Sequence, residues 1–248
     1  MSYTIQNGRL GNQIIRNLAV SLIAEKNDLK VDYYNKNLIE ELGIDLFSGN
    51  NIYDNTIELN DKNYFSIYNS NDLKSNLNSD CSYFQTKEIT NFLYNYLHFD
   101  KIKSNIIEKN PFNDRYNNNN DLFVHIRLTD VAHLNPGADY YINTINTIKY
   151  NDLYVSSDQI NHHIIEKIIE NIKNVKIIKY NEIKTFQFGS TCKNIILSHG
   201  SFSAIIGYLA FFSNVYYQEY KHNGYIDYSN KIWYGDMFSI NNWNKIKK

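Results

Sequence analysis

Short apolar segments alternate with helical repeats of apolar residues in the second half of the chain. The segments are three to five residues long and rich in β-branched and aromatic residues, and they span residues 122–126, 153–156, 175–178, 194–197 and 215–217. Between them, apolar residues recur every three or four positions, which predicts helices over residues 140–148, 160–172 and 203–212. This alternation predicts βαβ units around a parallel sheet, whose ligands lie at the carboxyl ends of the strands.

The first half of the chain carries the same pattern less clearly. Residues 3–5 predict a short strand, and the apolar spacing from Ile14 to Ile23 predicts a helix that ends near Asn27. Residues 31–34 predict a second strand. The pattern is weak from about residue 38 to residue 78. The remaining predicted elements are short strands at residues 52–53, 57–59, 64–68 and 82–85, and helices at residues 88–99 and 101–108.

Residues 110–120 separate the two halves. This segment contains Pro111 and a run of four asparagines and has few apolar residues, so we interpret it as a linker. We therefore predict an α/β fold with two domains, an N-terminal one over residues 1–112 and a C-terminal one over residues 113–248. The tail from residue 228 onwards, with Trp233 and Trp243, is expected to pack back on the body of the protein.

Composition and charge narrow the class of protein. The 248 residues include 25 Lys and Arg against 26 Asp and Glu, a formal net charge of -1, and this balance disfavours nucleic acid as a partner. The two cysteines, Cys81 and Cys192, indicate neither a disulfide framework nor a zinc site. No signal peptide is visible in residues 1–13, and no window approaches the roughly 20 apolar residues of a membrane span. A soluble, cytoplasmic protein is expected.

Residues 125–130 follow the first predicted strand of the second half. His125 and Arg127 lie on the same side of an extended chain, because side chains alternate with a period of two. The planar guanidinium of Arg127 suits bidentate binding of a phosphate. Asp130 is spaced either to orient Arg127 or to accept a proton. An Arg–Asp salt bridge beside a structural histidine is the alternative interpretation.

Residues 198–203 form a second candidate loop, between a predicted strand and a helix. Gly200 permits close approach of the backbone to a ligand. Ser201 and Ser203 are candidates to cap the following helix, whose free N–H groups form a site for an anion such as a diphosphate. An ordinary serine cap without a ligand is the alternative.

Residues 8–12 form a third candidate loop, before the first predicted helix. Gly8 and Gly11 match neither G-x-G-x-x-G nor a Walker loop, and they permit a tight turn. Asn12 and Gln13 carry amide groups that suit hydrogen bonds to a sugar or a phosphate. A simple turn between strand and helix explains the same residues.

Several catalytic signatures are absent from the sequence. It contains no H-E-x-x-H, C-x-x-C or G-x-S-x-G motif. It also lacks the Asp-x-Asp triplet with which metal-dependent sugar-nucleotide transferases commonly hold a divalent ion. A diphosphate bound by this chain is therefore expected to be neutralised by protein cations and amides, without a metal.

Six segments, in the same order, resemble motifs of the α-1,2-fucosyltransferase family, glycosyltransferase family 11. Three of them carry the loops described above, and two of these three are given first. Gly8-Arg9-Leu10-Gly11-Asn12-Gln13 is similar to the family's opening G-R-L-G-N-Q, and His125-Ile126-Arg127 with Asp130 is similar to its H-x-R-R-G-D motif, which fucosyltransferases use against the GDP-fucose diphosphate. The other four are Tyr83-Phe84-Gln85 (G-Y-F-Q), Tyr140-Tyr141 (the YY helix), Tyr154-Val155-Ser156-Ser157-Asp158 (the FSDD strand end), and Ile195-Ile196-Leu197-Ser198 with Ser201-Phe202-Ser203 and Gly207 (N-S-S-F-S-W-W-G).

The chain departs from the family pattern at several positions. The second Arg of H-x-R-R is Leu128, and the Gly after it is Thr129. The paired tryptophans of the last motif are Ala204 and Ile205, and the second Asp after Ser-Asp is Gln159. The loss of one cation weakens the expectation of standard diphosphate binding, and the altered last motif leaves the donor sugar and the acceptor open.

The resemblance implies a GT-B-like fold, in which two Rossmann-like domains face a cleft. It implies that the C-terminal domain binds the nucleotide sugar and that the N-terminal domain presents the acceptor. The implied reaction is an inverting, metal-independent transfer of fucose from GDP-fucose to a hydroxyl group of an acceptor glycan. The residues expected in catalysis are His125, Arg127 and Asp130, and those expected to bind the donor are Gly8, Arg9, Gly11, Asn12, Gln13, His125, Arg127, Asp158, Ser201, Phe202 and Ser203.

Two other functions fit the sequence. One is a transferase for a different nucleotide sugar, since Leu128, Ala204 and Ile205 depart from the fucosyl pattern. The other is a carbohydrate-binding protein without catalysis, which is predicted to bind glycans and to be indifferent to nucleotides. For a transferase, the expected partners are a nucleotide-sugar donor and a glycan acceptor. The sequence leaves the oligomeric state open.

Overall fold

The computed structural model describes residues 1–80, 82–218 and 236–246, together with two short strands at residues 225–226 and 232–233. The described residues form an α/β structure with nine α-helices and two sheets in which all neighbouring strands are parallel. The chain divides into two compact units. The first unit comprises Met1–Ile106 with the described part of His222–Ser239, and the second comprises Ile107–Lys221 with Ile240–Lys248.

The first unit contains a four-stranded parallel sheet of order β2-β1-β4-β3. Its strands are only two or three residues long. In chain order its elements are β1 (Ser2–Tyr3), α1 (Leu10–Asn27), β2 (Val31–Asp32), α2 (Lys36–Glu40), β3 (Thr56–Glu58), α3 (Tyr64–Tyr68), β4 (Asn76–Asn78), α4 (Lys87–Leu97) and α5 (Asp100–Lys109), the last of which continues across the boundary with the second unit.

Helix α1 is the central element of the first unit and is buried on nearly all sides. Its buried polar residues are hydrogen-bonded, as burial requires. Arg16 Nη2 donates to the carbonyl oxygen of Ser79 at 2.5 Å, and Asn17 Nδ2 donates to that of Tyr34 at 2.8 Å. The helix ends at Asn27, followed by Asp28 in the left-handed region, which is a common way to terminate a helix. The predicted helix is confirmed.

The second unit contains a six-stranded parallel sheet of order β12-β9-β8-β5-β6-β7. Counted along this sheet, the order is 3-2-1-4-5-6 read from β7, which is the strand order of the Rossmann fold. The elements of this unit from residue 122 to residue 218 are β5 (Leu122–Ile126), α6 (Ala138–Thr147), β6 (Leu153–Ser157), α7 (His163–Asn171), β7 (Val175–Ile177), α8 (Glu182–Gly189), β8 (Asn194–Ile196), α9 (Ser201–Tyr208) and β9 (Asn214–Gln218). The antiparallel pair β10 (Tyr225–Ile226) and β11 (Ile232–Trp233) follows and belongs to the first unit. The chain then returns to the second unit and forms β12 (Asn244–Ile246).

Helices cover both faces of the second sheet. Val124 and Ile126 of β5 belong to an apolar cluster with α6 and α7. The alternate residues Phe123 and His125 contact the opposite pair of helices, with ring centroids 6.4 Å from Phe188 of α8 and 4.9 Å from Phe202 of α9. All five residues of β5 are buried, as expected for the central strand of a parallel sheet.

Three predicted strands of the first half are wrong. Residues 52–53 form no strand, and only the neighbouring Asn51 makes an isolated bridge, to Leu29. Residues 64–68 form helix α3, because Tyr64 and Tyr68 lie on the same face of a helix and their rings stack 6.3 Å apart. Residues 82–85 form no strand, and Phe84 has a φ of 53°, in the left-handed region that strands exclude. Aromatic content favoured a strand at residues 64–68 and at residues 82–85, but tertiary packing overrides such local preferences.

The segment interpreted as a linker, residues 110–120, is a packed part of the second unit. Asn110 Nδ2 donates to the carbonyl oxygen of Gln187 at 2.9 Å, and Asn119 Nδ2 donates to that of Thr191 at 2.9 Å. Arg115 pairs with Asp121 at 2.8 Å. The asparagine amides therefore bind backbone groups of the unit, and the prediction of a linker is wrong.

The C-terminal segment packs back on the protein, as predicted, where the structure describes it: residues 236–239 belong to the first unit and residues 240–246 to the second. Strand β12 pairs in parallel with β9. The buried Trp243 has its ring 5.8 Å from that of Tyr208 and 6.2 Å from that of Tyr217. The Trp233 side chain and the terminal residues 247–248 lie outside the described residues.

None of the described helices combines the length and the apolar character required to cross a bilayer.

The close approach of Trp243 to Gly207 of α9 predicts the effect of Gly207→Ala. An added Cβ would lie 2.5 Å from Trp243 Cη2 and Cζ2. Alanine normally stabilises a helix by about 1 kcal/mol relative to glycine, but overpacking a buried site costs about 1–3 kcal/mol. We expect a net loss of free energy of unfolding, measured by urea denaturation. In a Trp243→Leu background, Gly207→Ala should cease to destabilise; an equal loss in both backgrounds would contradict this packing argument.

Candidate functional site

The sheet of the second unit has a topological switch point between β5 and β8. The chain leaves β5 towards β6 and leaves β8 towards β9, on opposite sides of this point. The register pairs Val124 with Ile196, so that the two strands end side by side. Loops that diverge at a switch point leave a crevice at the carboxyl ends of the strands, where ligands of such sheets bind. The loops that begin at Arg127 and at Ser198 lie at this point.

Arg127 is held at the switch point by its backbone and by one end of its guanidinium. Its backbone N–H donates to Ser198 Oγ at 3.2 Å. Nη2 donates to both carboxylate oxygens of Asp130, at 2.7 and 3.0 Å. The side chain is 12% exposed, and its buried Nε has no hydrogen-bond partner among the described residues. The ion pair of the alternative interpretation is therefore present, and the guanidinium retains donors for a ligand.

Asp158 holds the loop after β5 in place. Its Oδ1 accepts the backbone N–H of Leu128 at 2.7 Å, and its Oδ2 accepts the hydroxyl of Thr129 at 2.5 Å. Burial by itself would raise the pKa of this carboxyl, but the hydrogen bonds from Thr129 and Leu128, with smaller contributions from His125 and Arg127, lower it below its usual 3.8. The structure thus gives Asp158 contacts that hold the loop after β5, and its expected contact with the donor stays a prediction.

Gly200 is the N-cap of α9, and the predicted serine cap is wrong. Gly200 has φ 89° and ψ 163°, a conformation that is essentially restricted to glycine, and no side chain caps the helix. An added Cβ would lie 3.7 Å from Arg127 Cδ and 3.9 Å from Nη1. The first N–H groups of a helix have no partner within the helix. Gly200 therefore places the start of α9, without a side-chain cap from its N-cap residue, beside the guanidinium.

Ser203 and Phe202 join the first turn of α9 to β5. Ser203 Oγ lies 2.6 Å from His125 Nδ1, and both side chains are buried. The Phe202 ring stacks on His125 at 4.9 Å and on Phe186 at 4.1 Å. These two contacts occupy the Phe202 ring. The side chain therefore supports the site and does not offer a free surface on which a ligand could stack. Ser201 is buried in the same turn.

The two histidines of this edge are neutral at neutral pH. Burial lowers the pKa of His125 to about 3, with Arg127 and His199 acting in the same direction. Burial, followed by the charge of Arg127, lowers the pKa of His199 to about 4. The positive charge of this group therefore resides on the guanidinium, and His125 is a positioning residue in this structure.

Three residues that were not among the predicted site residues brace the Arg127 backbone. Asn135 Nδ2 donates to the carbonyl oxygen of Arg127 and to Tyr141 Oη, both at 3.0 Å. The Tyr141 hydroxyl donates to Ser198 Oγ, also at 3.0 Å. Tyr141 and Ser198 lie in segments that resemble family motifs, and that was the available signal. Asn135 carried none.

The glycine-rich loop of the first unit is held by its own amides. Gly8 has φ 76°, and the side chain of Asn12 occupies the space where a Cβ would lie. Gln13 Nε2 donates to the Gly8 carbonyl oxygen at 2.8 Å, and Gln85 Nε2 donates to Asn12 Oδ1 at 2.8 Å. Arg9 is exposed at the start of α1. These amides form bracing contacts.

The predicted site residues therefore form two groups, one in each unit. His125, Arg127, Asp130 and Asp158 come together with the start of α9 in the second unit; Gly8, Arg9, Gly11, Asn12 and Gln13 belong to the first. Within the described residues, no group of three or more His, Cys, Asp and Glu side chains is arranged to hold a metal ion. Cys192 is buried, which raises the pKa of its thiol to about 12, and Cys81 lies outside the described residues.

The carboxyl edge of the second sheet combines a cation with the N-terminus of a helix, and this combination suits an anion. Comparison with known proteins adds no assignment. No family model, no curated protein and no solved structure matches this chain. The geometry of the site and the sequence resemblance are therefore the two indications of function.

The lowered pKa of Asp158 predicts how the variant Asp158→Asn behaves with pH. A carboxylate whose pKa is lower in the folded state stabilises the fold above its unfolded pKa of about 3.9, and this contribution is lost as the pH falls through the folded value. Asp158→Asn should therefore be less stable than the wild type at neutral pH, and the difference should shrink on acidification. Urea unfolding across this range measures it. The control is Asp139→Asn, which removes a 77% exposed carboxylate; a constant difference for Asp158→Asn would contradict the assignment.

Proposed function

We propose that this protein is an inverting glycosyltransferase with a GT-B-like fold, which transfers fucose from GDP-fucose to a hydroxyl group of an acceptor glycan. One observation carries the proposal: Arg127 and the first turn of α9, with Gly200 as its N-cap, lie together at the switch point of a sheet with Rossmann strand order. This is the arrangement that suits a nucleotide diphosphate. The resemblance to α-1,2-fucosyltransferases supplies the donor sugar and the type of reaction.

In the proposed reaction, negative charge develops on the diphosphate that leaves the sugar. The acceptor oxygen forms a bond to the anomeric carbon while the bond from that carbon to the diphosphate oxygen breaks, which inverts the configuration. The acceptor hydroxyl releases its proton to solvent, and GDP leaves. The Arg127 guanidinium and the N–H groups of Ser201, Phe202 and Ser203 are the donors that stabilise this charge. Preorganised donors of this kind are worth about 3–4 kcal/mol each. The reaction as proposed requires no metal.

The remaining residues of the site act through these donors. The His125–Ser203 hydrogen bond sets the start of α9 against β5. Asp130 binds the guanidinium of Arg127, so we assign it to that contact and not to proton transfer. In the proposed fold the first unit presents the acceptor, and its braced loop at Asn12 and Gln13 is the part that we assign to that side.

A second candidate, a transferase for another nucleotide sugar, is favoured by the position of Leu128. The family pattern has a second Arg here, whereas Leu128 is 1% exposed and belongs to the apolar cluster beneath α6 and α7. A cation is therefore replaced by a core residue. Nucleotides that differ in their base therefore distinguish the two candidates.

Arg127→Ala is expected to weaken GDP binding strongly while the protein remains folded. Charge-assisted hydrogen bonds contribute about 1.5–3 kcal/mol, so the dissociation constant should rise about tenfold to a hundredfold. Isothermal titration calorimetry with GDP, UDP and dTDP measures this, and circular dichroism checks the fold. Lys167→Ala is the matched control, because it removes a cation of the same unit that is 50% exposed and paired with Asp139.

The outcomes separate the candidate functions. Equal GDP affinity in Arg127→Ala and the wild type would overturn the assigned role. Tighter binding of UDP or dTDP than of GDP would favour the second candidate, and binding of glycans with no response to any nucleotide would favour a carbohydrate-binding protein. Transfer is measured by incubating the protein with GDP-fucose and a mixture of oligosaccharides and detecting fucosylated products by mass spectrometry.

A further inference from the structure

The charges around Arg127 oppose the binding of an anion. The guanidinium contacts Asp130 directly, and Asp158 holds the adjoining residues Leu128 and Thr129. These three charged side chains comprise one cation and two carboxylates. A diphosphate that enters this group adds further negative charge, which like charges nearby disfavour. Displacement of one of the carboxylates would therefore favour a diphosphate at this site.

The two carboxylates are held in different ways. Asp158 accepts a backbone N–H and a hydroxyl, and its removal would release the loop after β5. Asp130 is 51% exposed. Both of its oxygens accept from Arg127 Nη2, and Oδ1 also accepts the hydroxyl of Thr129 at 3.2 Å. A carboxylate placed in this way occupies one of the nitrogens that a guanidinium uses to bind a phosphate in bidentate fashion. Asp130 is consequently the carboxylate that can be exchanged.

We infer that Asp130 is a built-in competitor for the anion: its carboxylate occupies Arg127 Nη2 in the unliganded protein, and an entering diphosphate displaces it. The inference rests on the proposed function for the identity of the ligand. Displacement exchanges one charge-assisted contact of Arg127 for another, so the guanidinium is never left without a counterion. The affinity of the site is thereby set below what Arg127 and the start of α9 would give alone.

The opposite role for Asp130 makes the opposite prediction. If the carboxylate served to orient the guanidinium towards the ligand, its loss would loosen Arg127 and weaken binding. If it competes, its loss removes an internal rival and strengthens binding. The sign of the change in affinity therefore distinguishes the two roles.

The test compares Asp130→Asn with the wild type by calorimetry, with GDP and inorganic pyrophosphate as separate probes. An exposed ion pair of this kind contributes up to about 1 kcal/mol, so Asp130→Asn should bind both probes about fivefold more tightly. Asp139→Asn is the matched control, since it removes an exposed, ion-paired carboxylate of the same unit and should leave both affinities unchanged. Asp130→Ala carries the same expectation and serves if the asparagine variant does not fold.

Each outcome addresses a defined claim. If the wild type binds GDP and the Asp130 variants bind it equally or less tightly, the competitor role is overturned and the proposed function stands. If pyrophosphate binding tightens in the Asp130 variants while GDP does not bind, the competitor role stands and the nucleotide function is overturned. If neither probe binds to any variant, both are overturned.

Discussion

A single buried hydrogen bond, between His125 and Ser203, determines the geometry of the candidate site in the second unit. It joins the end of β5 to the first turn of α9, two elements that lie 78 positions apart in the sequence. The stack of Phe202 on His125 and Phe186 reinforces it. Arg127 and the N–H groups of α9 flank this contact, so their separation follows from it. Because burial keeps His125 neutral, the contact adds no charge that would compete with the guanidinium.

The sequence predicted the second sheet better than the first for a physical reason. Strand β5 is buried throughout its five residues, and such central strands appear as unbroken apolar runs. The strands of the first sheet are two or three residues long, too short to show a period. Helix α8 was not predicted, because its buried positions include Thr185, Gln187 and Gly189, which weaken the apolar repeat. In α3, the aromatic residues favoured a strand, but their spacing of four suited a helix.

The site was predictable as far as local spacing reaches. The alternation of side chains indicated that His125 and Arg127 share one side, and the spacing of three brought Asp130 within reach of Arg127, where the ion pair confirms it. The contacts that brace this group join residues far apart in the chain, such as Arg127 with Ser198 and Leu128 with Asp158. No pattern within one segment indicates such pairs. The prediction of a serine cap for α9 was wrong. Glycine and serine both occur at the start of this helix, and only the backbone conformation shows that Gly200 is the N-cap.

The pairing of β12 with β9 bears on how the second unit is completed during synthesis. Strand β12 is the last of the sheet to leave the ribosome, and Trp243, just before it, covers the face of α9 at Gly207. Until these residues emerge, a nascent chain carries β9 as an open edge, and open edges invite association with other chains. Residues 236–239 likewise bond to α4 of the first unit through Thr90 and Asn91. Vectorial synthesis therefore leaves both units unfinished until a late stage, and the helix that bears the candidate site is among the last elements to gain its full packing.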